Sequence, residues 1–130
     1  MGQIVYTGGT FDLLHSGHVR FLQACRKIAG HDGTVVVSLN TDEFISAYKG
    51  KPPVMSFEER KEVLQALRCV DRVVANVGGA DSKPAILDVM PDFLLRFSLW
   101  DLRRLCLVGI AINHCRFLLT LRFKFATLCP

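Results

Sequence analysis

The chain has 130 residues, half of them hydrophobic and 22% charged, the composition of a folded domain with one core rather than a disordered segment. Its net charge of +4 is unevenly placed: residues 96–130 hold six Lys/Arg and one acid, residues 1–95 ten bases and eleven acids, so the balance marks a compositional break and not a basic protein. Five cysteines without CxxC spacing exclude a disulfide scaffold, and no apolar run reaches the roughly 20 residues that span a bilayer. Met1-Gly2-Gln3-Ile4 lacks a basic region and an apolar stretch of secretory type. The expectation is a cytoplasmic protein with reduced thiols, without nucleic-acid partners and off the membrane.

Residues 3–7 form a short apolar run that reads as a buried strand. Gly8-Gly9-Thr10-Phe11-Asp12-Leu13-Leu14-His15-Ser16-Gly17-His18 follows, and then a helix-period stripe through Val19, Leu22, Cys25, Ile28 and Ala29. Strand, glycine turn and helix start place that turn at the carboxyl end of a strand, where ligands of open α/β sheets bind. Free N–H groups and the positive end of the helix dipole converge there, which suits a phosphate. Two histidines three residues apart are aimed at the same place.

Residues 34–39 are β-branched and bounded by Gly33 and Asn40, a second buried strand. Thr41-Asp42-Glu43 opens a short helix ending near Tyr48, and Lys49-Gly50-Lys51-Pro52-Pro53 reads as a flexible basic loop. Ser56 and Glu59 match a capping box for a helix running to about Arg68, with Val63, Leu64 and Leu67 inward. Residues 70–75 give a third strand, residues 84–90 a short helix, and Phe93 starts a fourth strand. This alternation predicts an α/β fold, Rossmann-like, with a parallel sheet flanked by helices.

Each feature has a plain structural reading of its own. Gly8-Gly9 serves equally as a tight turn, and His15-x-x-His18 as a structural pair or half a zinc site, although no third or fourth ligand stands at a fitting spacing. Lys49 and Lys51 alone are a solvated loop, and Arg60 and Arg68 alone are helix-surface charges beside Glu58, Glu59 and Glu62.

Taken together, Gly9-Thr10-Phe11-Asp12-Leu13-Leu14-His15-Ser16-Gly17-His18 resembles the G-T-F-D-x-x-H-x-G-H signature of the cytidylyltransferase-like nucleotidyltransferases. Leu13-Leu14 resembles the branch typified by glycerol-3-phosphate cytidylyltransferase. Ser38-Leu39-Asn40-Thr41-Asp42-Glu43, Lys49 and Lys51, Glu59-Arg60-Lys61 and Arg68-Cys69-Val70-Asp71 follow in the family's order. The resemblance implies a catalytic domain over residues 1–95 that joins a nucleotidyl group from CTP, or another nucleoside triphosphate, to a small alcohol phosphate such as glycerol 3-phosphate. By the same resemblance His15, His18 and Lys49 are catalytic. Gly9, Thr10, Phe11 and Asp12, with both histidines and Lys51, hold the nucleotide. Asp42, Arg60 and Arg68 face the acceptor, Mg²⁺ accompanies the triphosphate with Asp12 beside it, and the protein is a homodimer.

The match ends after Leu95. The family's Gly-Asp-Asp-Trp-like turn is replaced by Phe97-Ser98-Leu99-Trp100, and its R-x-x-x-I-S-T-T segment has no counterpart. Residues 96–130 form an atypical segment, completing the domain or appended to it, in which Phe117, Leu119, Leu121, Phe123 and Phe125 alternate with strand period. A shifted reading frame, a lineage-specific end to the sheet, and a membrane-surface segment compete to explain it. Because this segment lacks the triphosphate grip, a non-catalytic nucleotide-binding or interaction domain stands as the alternative function.

Overall fold

A computed structural model describes residues 2–96 and the short strand Ile110–Ala111. The elements are β1 (Ile4–Gly9), α1 (Ser16–Ala29), β2 (Thr34–Asn40), α2 (Asp42–Lys49), α3 (Phe57–Gln65), β3 (Arg72–Asn76), α4 (Lys83–Val89), β4 (Phe93–Leu95) and β5 (Ile110–Ala111). The strands form one sheet in the order β3-β2-β1-β4-β5. The first four are parallel, and β5 runs antiparallel to β4. This is the Rossmann-like α/β arrangement that the strand-helix alternation predicts.

The sheet is covered on both faces, and the period of two along its strands sorts the residues. Val5, Val35, Val37 and Leu39 pack with Phe21, Leu22, Cys25 and Ala29 of α1 and Leu64 of α3. Tyr6 and Val36 turn to the other face, against Ala85 and Val89 of α4. Burial pushes the Cys25 thiol up to about 12, with Cys69 adding to the effect, so it acts as a small hydrophobe.

The amino end of the sheet is closed by polar groups. Asp71 accepts from the Val35 amide at 2.7 Å and from Arg26, which also donates to the Gly33 carbonyl at 2.9 Å. The R-x-V-D segment thus supplies, through Asp71, a bracket between β2, α1 and β3 far from the strands' carboxyl ends.

Those carboxyl ends hold the opening. From β1 the chain moves outward to β2 and β3, then returns to the other side of β1 with β4. The order reverses at β1, which leaves a crevice above its end. The turn leaving β1 is sharply bent: Phe11 (φ 48°) and Leu13 (φ 52°) both hold left-handed backbone, a conformation that costs a non-glycine residue energy and persists where the surroundings enforce it. The enforcement is visible at Phe11, whose buried ring joins the core cluster. Gly9 makes room for that ring, since a Cβ there would stand 3.1 Å from it.

Several expected boundaries move: β1 runs on through Gly8 and Gly9, and β3 starts at Arg72 rather than at residue 70. The third helix stops at Gln65 rather than near Arg68, and Leu67 packs on the core from the turn beyond it. Lys49 is not in a loop: it is the last residue of α2, and Gly50 ends that helix in left-handed conformation (φ 72°). Apart from Arg96, Ile110 and Ala111, the expectations for residues 96–130, including the Phe117 to Phe125 alternation, lie outside the described residues.

Candidate active site

A cavity of about 800 Å³ opens at the carboxyl ends of the strands. Of the residues singled out in the sequence, Gly9, Thr10, Phe11, Asp12, His15, His18 and Lys49 line it; Lys51, Asp42, Arg60 and Arg68 do not.

The two histidines are built into the start of α1. His15 is its N-cap: Nδ1 accepts from the Gly17 amide at 3.0 Å. Nδ1 of His18 in turn accepts from the His15 amide at 3.2 Å. This is a capping box with imidazoles in place of the usual hydroxyl and carboxylate. The rings lie 4.0 Å apart between centroids. Because each Nδ1 is an acceptor, the hydrogen-bond pattern assigns the proton of each neutral ring to Nε2. Burial, and then the charge of His15, hold the His18 pKa below the ordinary histidine value. At neutral pH His18 is therefore an uncharged Nε2–H donor.

Asp12 works as a strut. Its two carboxylate oxygens accept from the Val54 amide at 2.8 Å and the Met55 amide at 3.0 Å, tying the turn after β1 to the segment before α3. Its slight burial raises the pKa, but the two amides and the charges of Arg60 and Lys49 outweigh this and hold the carboxyl below the usual range. Asp12 is the one carboxylate among the lining residues, and the described residues contain no group of three or more His, Cys, Asp or Glu that could hold a metal ion.

Arg60 requires a correction. It is 1% exposed, so it is not a helix-surface charge, and it does not line the cavity. Its guanidinium donates to the carbonyls of Thr10 (2.7 Å), Asn40 (3.0 Å) and Met55 (3.1 Å) and to Asp42 at 2.5 Å. Asp42 also accepts from the Phe57 amide at 3.1 Å. The pair clamps the turn after β1 to the end of β2, the start of α2 and the entry to α3. Arg68 is exposed beyond the end of α3, and Lys51 is exposed beyond Gly50; neither reaches the cavity lining.

The cavity also contains residues that were not expected there. Asn40 and Asn76 end the adjacent strands β2 and β3 in register, and Tyr48 stands one residue before Lys49. A signal for the asparagines existed: each is a carboxamide closing a β-branched run, which places it at the ligand end of a parallel strand.

Fold and site together define a Rossmann-like nucleotide-binding domain, with an anion-seeking helix start and two imidazole donors beside it. The sequence profile of the cytidylyltransferase-like family matches residues 6–96, and the chain belongs to that family. It is 36% identical over 101 residues to a FAD synthase of Korarchaeum cryptofilum, covering 77% of this chain and 67% of that protein. It is 45% identical over 74 residues to a FAD synthase of Methanopyrus kandleri, covering 57% and 49%. A bifunctional protein HldE of Syntrophotalea carbinolica is 40% identical over 95 residues, covering 72% of this chain and 18% of that one. The crystal structure of a lipopolysaccharide core biosynthesis protein from Thermoplasma volcanium matches with a TM-score of 0.63 at 28% identity, covering 72% and 73% of the two chains. The chain spans about half to two thirds of the length of the FAD synthases. These relatives are nucleotidyltransferases, as the family is.

Proposed function

We propose that this domain transfers a nucleotidyl group from a nucleoside triphosphate to a phosphorylated alcohol. A phosphate oxygen of the acceptor attacks the α-phosphorus, the P–O bond to the β-phosphate breaks, and pyrophosphate leaves with the bonding electrons. A phosphate monoester is mostly dianionic at pH 7, its second pKa being about 6. The nucleophile arrives already deprotonated, so the site needs no general base. What it needs is neutralisation of charge gathering on the phosphoryl oxygens. The observation that carries the reading is the reciprocal capping of His15 and His18, which makes each Nδ1 an acceptor and so places the proton of each neutral ring on Nε2, at the amino end of α1. Lys49, also lining the cavity, supplies a full positive charge to the same phosphates.

In its narrow form the reading is cytidylyl transfer from CTP to glycerol 3-phosphate, supported by the Leu13-Leu14 resemblance. The names of the FAD synthases direct attention to a flavin phosphate instead, and the bond formed is the same. Mg²⁺ accompanying the triphosphate, a cytoplasmic location and a homodimer belong to this reading through the family resemblance. Among the described residues no helix is long and apolar enough to cross a membrane.

The test is pyrophosphate release by the purified chain with CTP or ATP against a panel of phosphorylated alcohols. Release that requires both substrates supports the proposal. Tight nucleotide binding without release in any pairing overturns it, and favours the binding-domain alternative that the missing R-x-x-x-I-S-T-T segment raises.

A further inference from the structure

The cavity has two ends, and they differ in chemistry. The helix start with His15 and His18 is an anion site. The other end lies over β2 and β3, where Asn40, Asn76, Tyr48 and Thr10 form one directed chain of hydrogen bonds. Asn76 Nδ2 donates to Gly79 O and to Asn40 Oδ1, both at 2.8 Å. Asn40 Nδ2 donates to Thr10 Oγ1 at 3.3 Å, and Thr10 Oγ1 lies 3.0 Å from Tyr48 Oη. The Gly79 carbonyl can only accept, so the orientation of the Asn76 carboxamide follows, and that of Asn40 follows from it.

Counting hydrogens along this chain shows what it lacks. The hydroxyls of Thr10 and Tyr48 carry two hydrogens, and their mutual bond uses one. One O–H therefore remains to be donated. At the other end, Asn76 is 7% exposed, and its Oδ1 is buried without a partner among the described residues. A buried carbonyl oxygen left unpaired is costly, which favours a ligand that brings it an N–H or O–H. Between these two points stands an aromatic pair, Phe44 and Tyr48, with centroids 5.0 Å apart and the tyrosine 52% exposed. Gly79 packs under Phe44, where a Cβ would stand 3.1 Å from the ring. An anion site would offer donors only. This end offers a donor, an acceptor and an apolar ring face.

We propose that Asn76 and Tyr48 are specificity-determining residues of an acceptor subsite, which selects phosphorylated acceptors whose body is a ring bearing N–H or O–H groups. A ring stacks on Tyr48 while one of its polar groups donates to Asn76 Oδ1 and another accepts the remaining hydroxyl hydrogen. A heterocycle with ring N–H and C=O groups and a hydroxylated sugar ring share this chemistry; the three-carbon body of glycerol 3-phosphate has no ring to stack. The proposal rests on the nucleotidyl-transfer reading for its reaction, but not for its binding.

The experiment compares riboflavin 5′-phosphate, glucose 6-phosphate and glycerol 3-phosphate on wild type, Asn76→Leu, Tyr48→Phe and Tyr48→Ala. Equilibrium dialysis measures binding of each compound, and pyrophosphate release measures turnover. Wild type is expected to bind one of the ring compounds at least about tenfold more tightly than glycerol 3-phosphate. Asn76→Leu and Tyr48→Ala should each weaken that ring compound about tenfold or more, with Tyr48→Phe between, while the Kd of the triphosphate changes less than about twofold. Flavin preference identifies the heterocycle and glucose preference the sugar. Equal binding of all three compounds, or parallel loss of acceptor and triphosphate affinity in the variants, overturns the subsite. If no pairing releases pyrophosphate yet a ring compound binds and the variants lose it, the nucleotidyl-transfer reading fails and the subsite stands. An Asn76→Leu protein that does not fold leaves the Tyr48 variants to decide.

Discussion

The guanidinium of Arg60 donates to the Thr10 carbonyl oxygen at 2.7 Å across fifty residues of sequence. Through that bond a buried charge on α3 sets the backbone of the turn that leaves β1. Breaking it is a stability experiment and a catalytic one together. Arg60→Met takes the guanidinium away from three carbonyls and from Asp42, which is partly exposed and keeps the Phe57 amide, so the loss should be about 1.5–3 kcal/mol. Arg60→Lys keeps the charge but not the planar fork of donors, so it should recover only part of that stability. Urea unfolding of the three proteins measures the loss. A change within 1 kcal/mol for Arg60→Met would remove Arg60 from the role of clamp.

His15 has two jobs that one substitution separates. His15→Ala removes both the imidazole and the N-cap; the cap alone accounts for about 1 kcal/mol of stability. Asn caps a helix well, so His15→Asn should restore the melting temperature toward wild type. Turnover should stay about 10²-fold or more below wild type in both, because neither variant has an Nε2–H donor. Recovery of turnover along with stability in His15→Asn would make the histidine a cap and nothing more.

The lowered pKa of His18 makes stability depend on pH in a set direction. In the unfolded chain the ring titrates near about 6.5, and in the folded chain lower. Between those two values the unfolded state binds more protons, so folding stability falls as pH falls through that window, and the contribution is fully present above about pH 6.5. The unfolding midpoint measured from pH 7.5 to 5 should decline more steeply for wild type than for His18→Gln. Parallel curves would show that folding leaves the His18 pKa unshifted.

Lys49 and Lys51 are two residues apart but only Lys49 reaches the cavity. Lys49→Ala should raise the KM for the triphosphate by about tenfold or more, the loss of one charge-assisted hydrogen bond. Lys51→Ala should raise it less than about twofold, and that residual effect should vanish at high salt, as screened long-range attraction does. Equal effects from both substitutions would mean that the segment after α2 closes onto the nucleotide.

Much of the fold was legible because local rules and tertiary packing agree. The stripe of α1 from Ser16 to Ala29, the Thr41 cap and the Ser56–Glu59 capping box all appear where pattern and capping chemistry put them, whereas Gly8 and Gly9, read as the turn, are the last two residues of β1. Lys49 was misplaced because Gly50 reads equally as a loop residue and as a helix terminator, and only the left-handed backbone at Gly50 tells which. The site was legible where its residues are neighbours in sequence, from Gly9 to His18. It was not legible where they come from different strands.

The sequence by itself determined the class of the sheet, the turn at the end of β1 and the pairing of His15 with His18, because each depends on residues within one helical turn or one strand period. Only the tertiary structure decided that Arg60 is a buried clamp and not a surface charge, and that Asn40, Asn76, Thr10 and Tyr48 share one network. The physical reason is range. A guanidinium's role depends on which carbonyls surround it, and those at Thr10, Asn40 and Met55 come together only when three segments pack. Likewise the parallel register of β2 and β3 sets Asn40 beside Asn76, thirty-six residues apart in the chain.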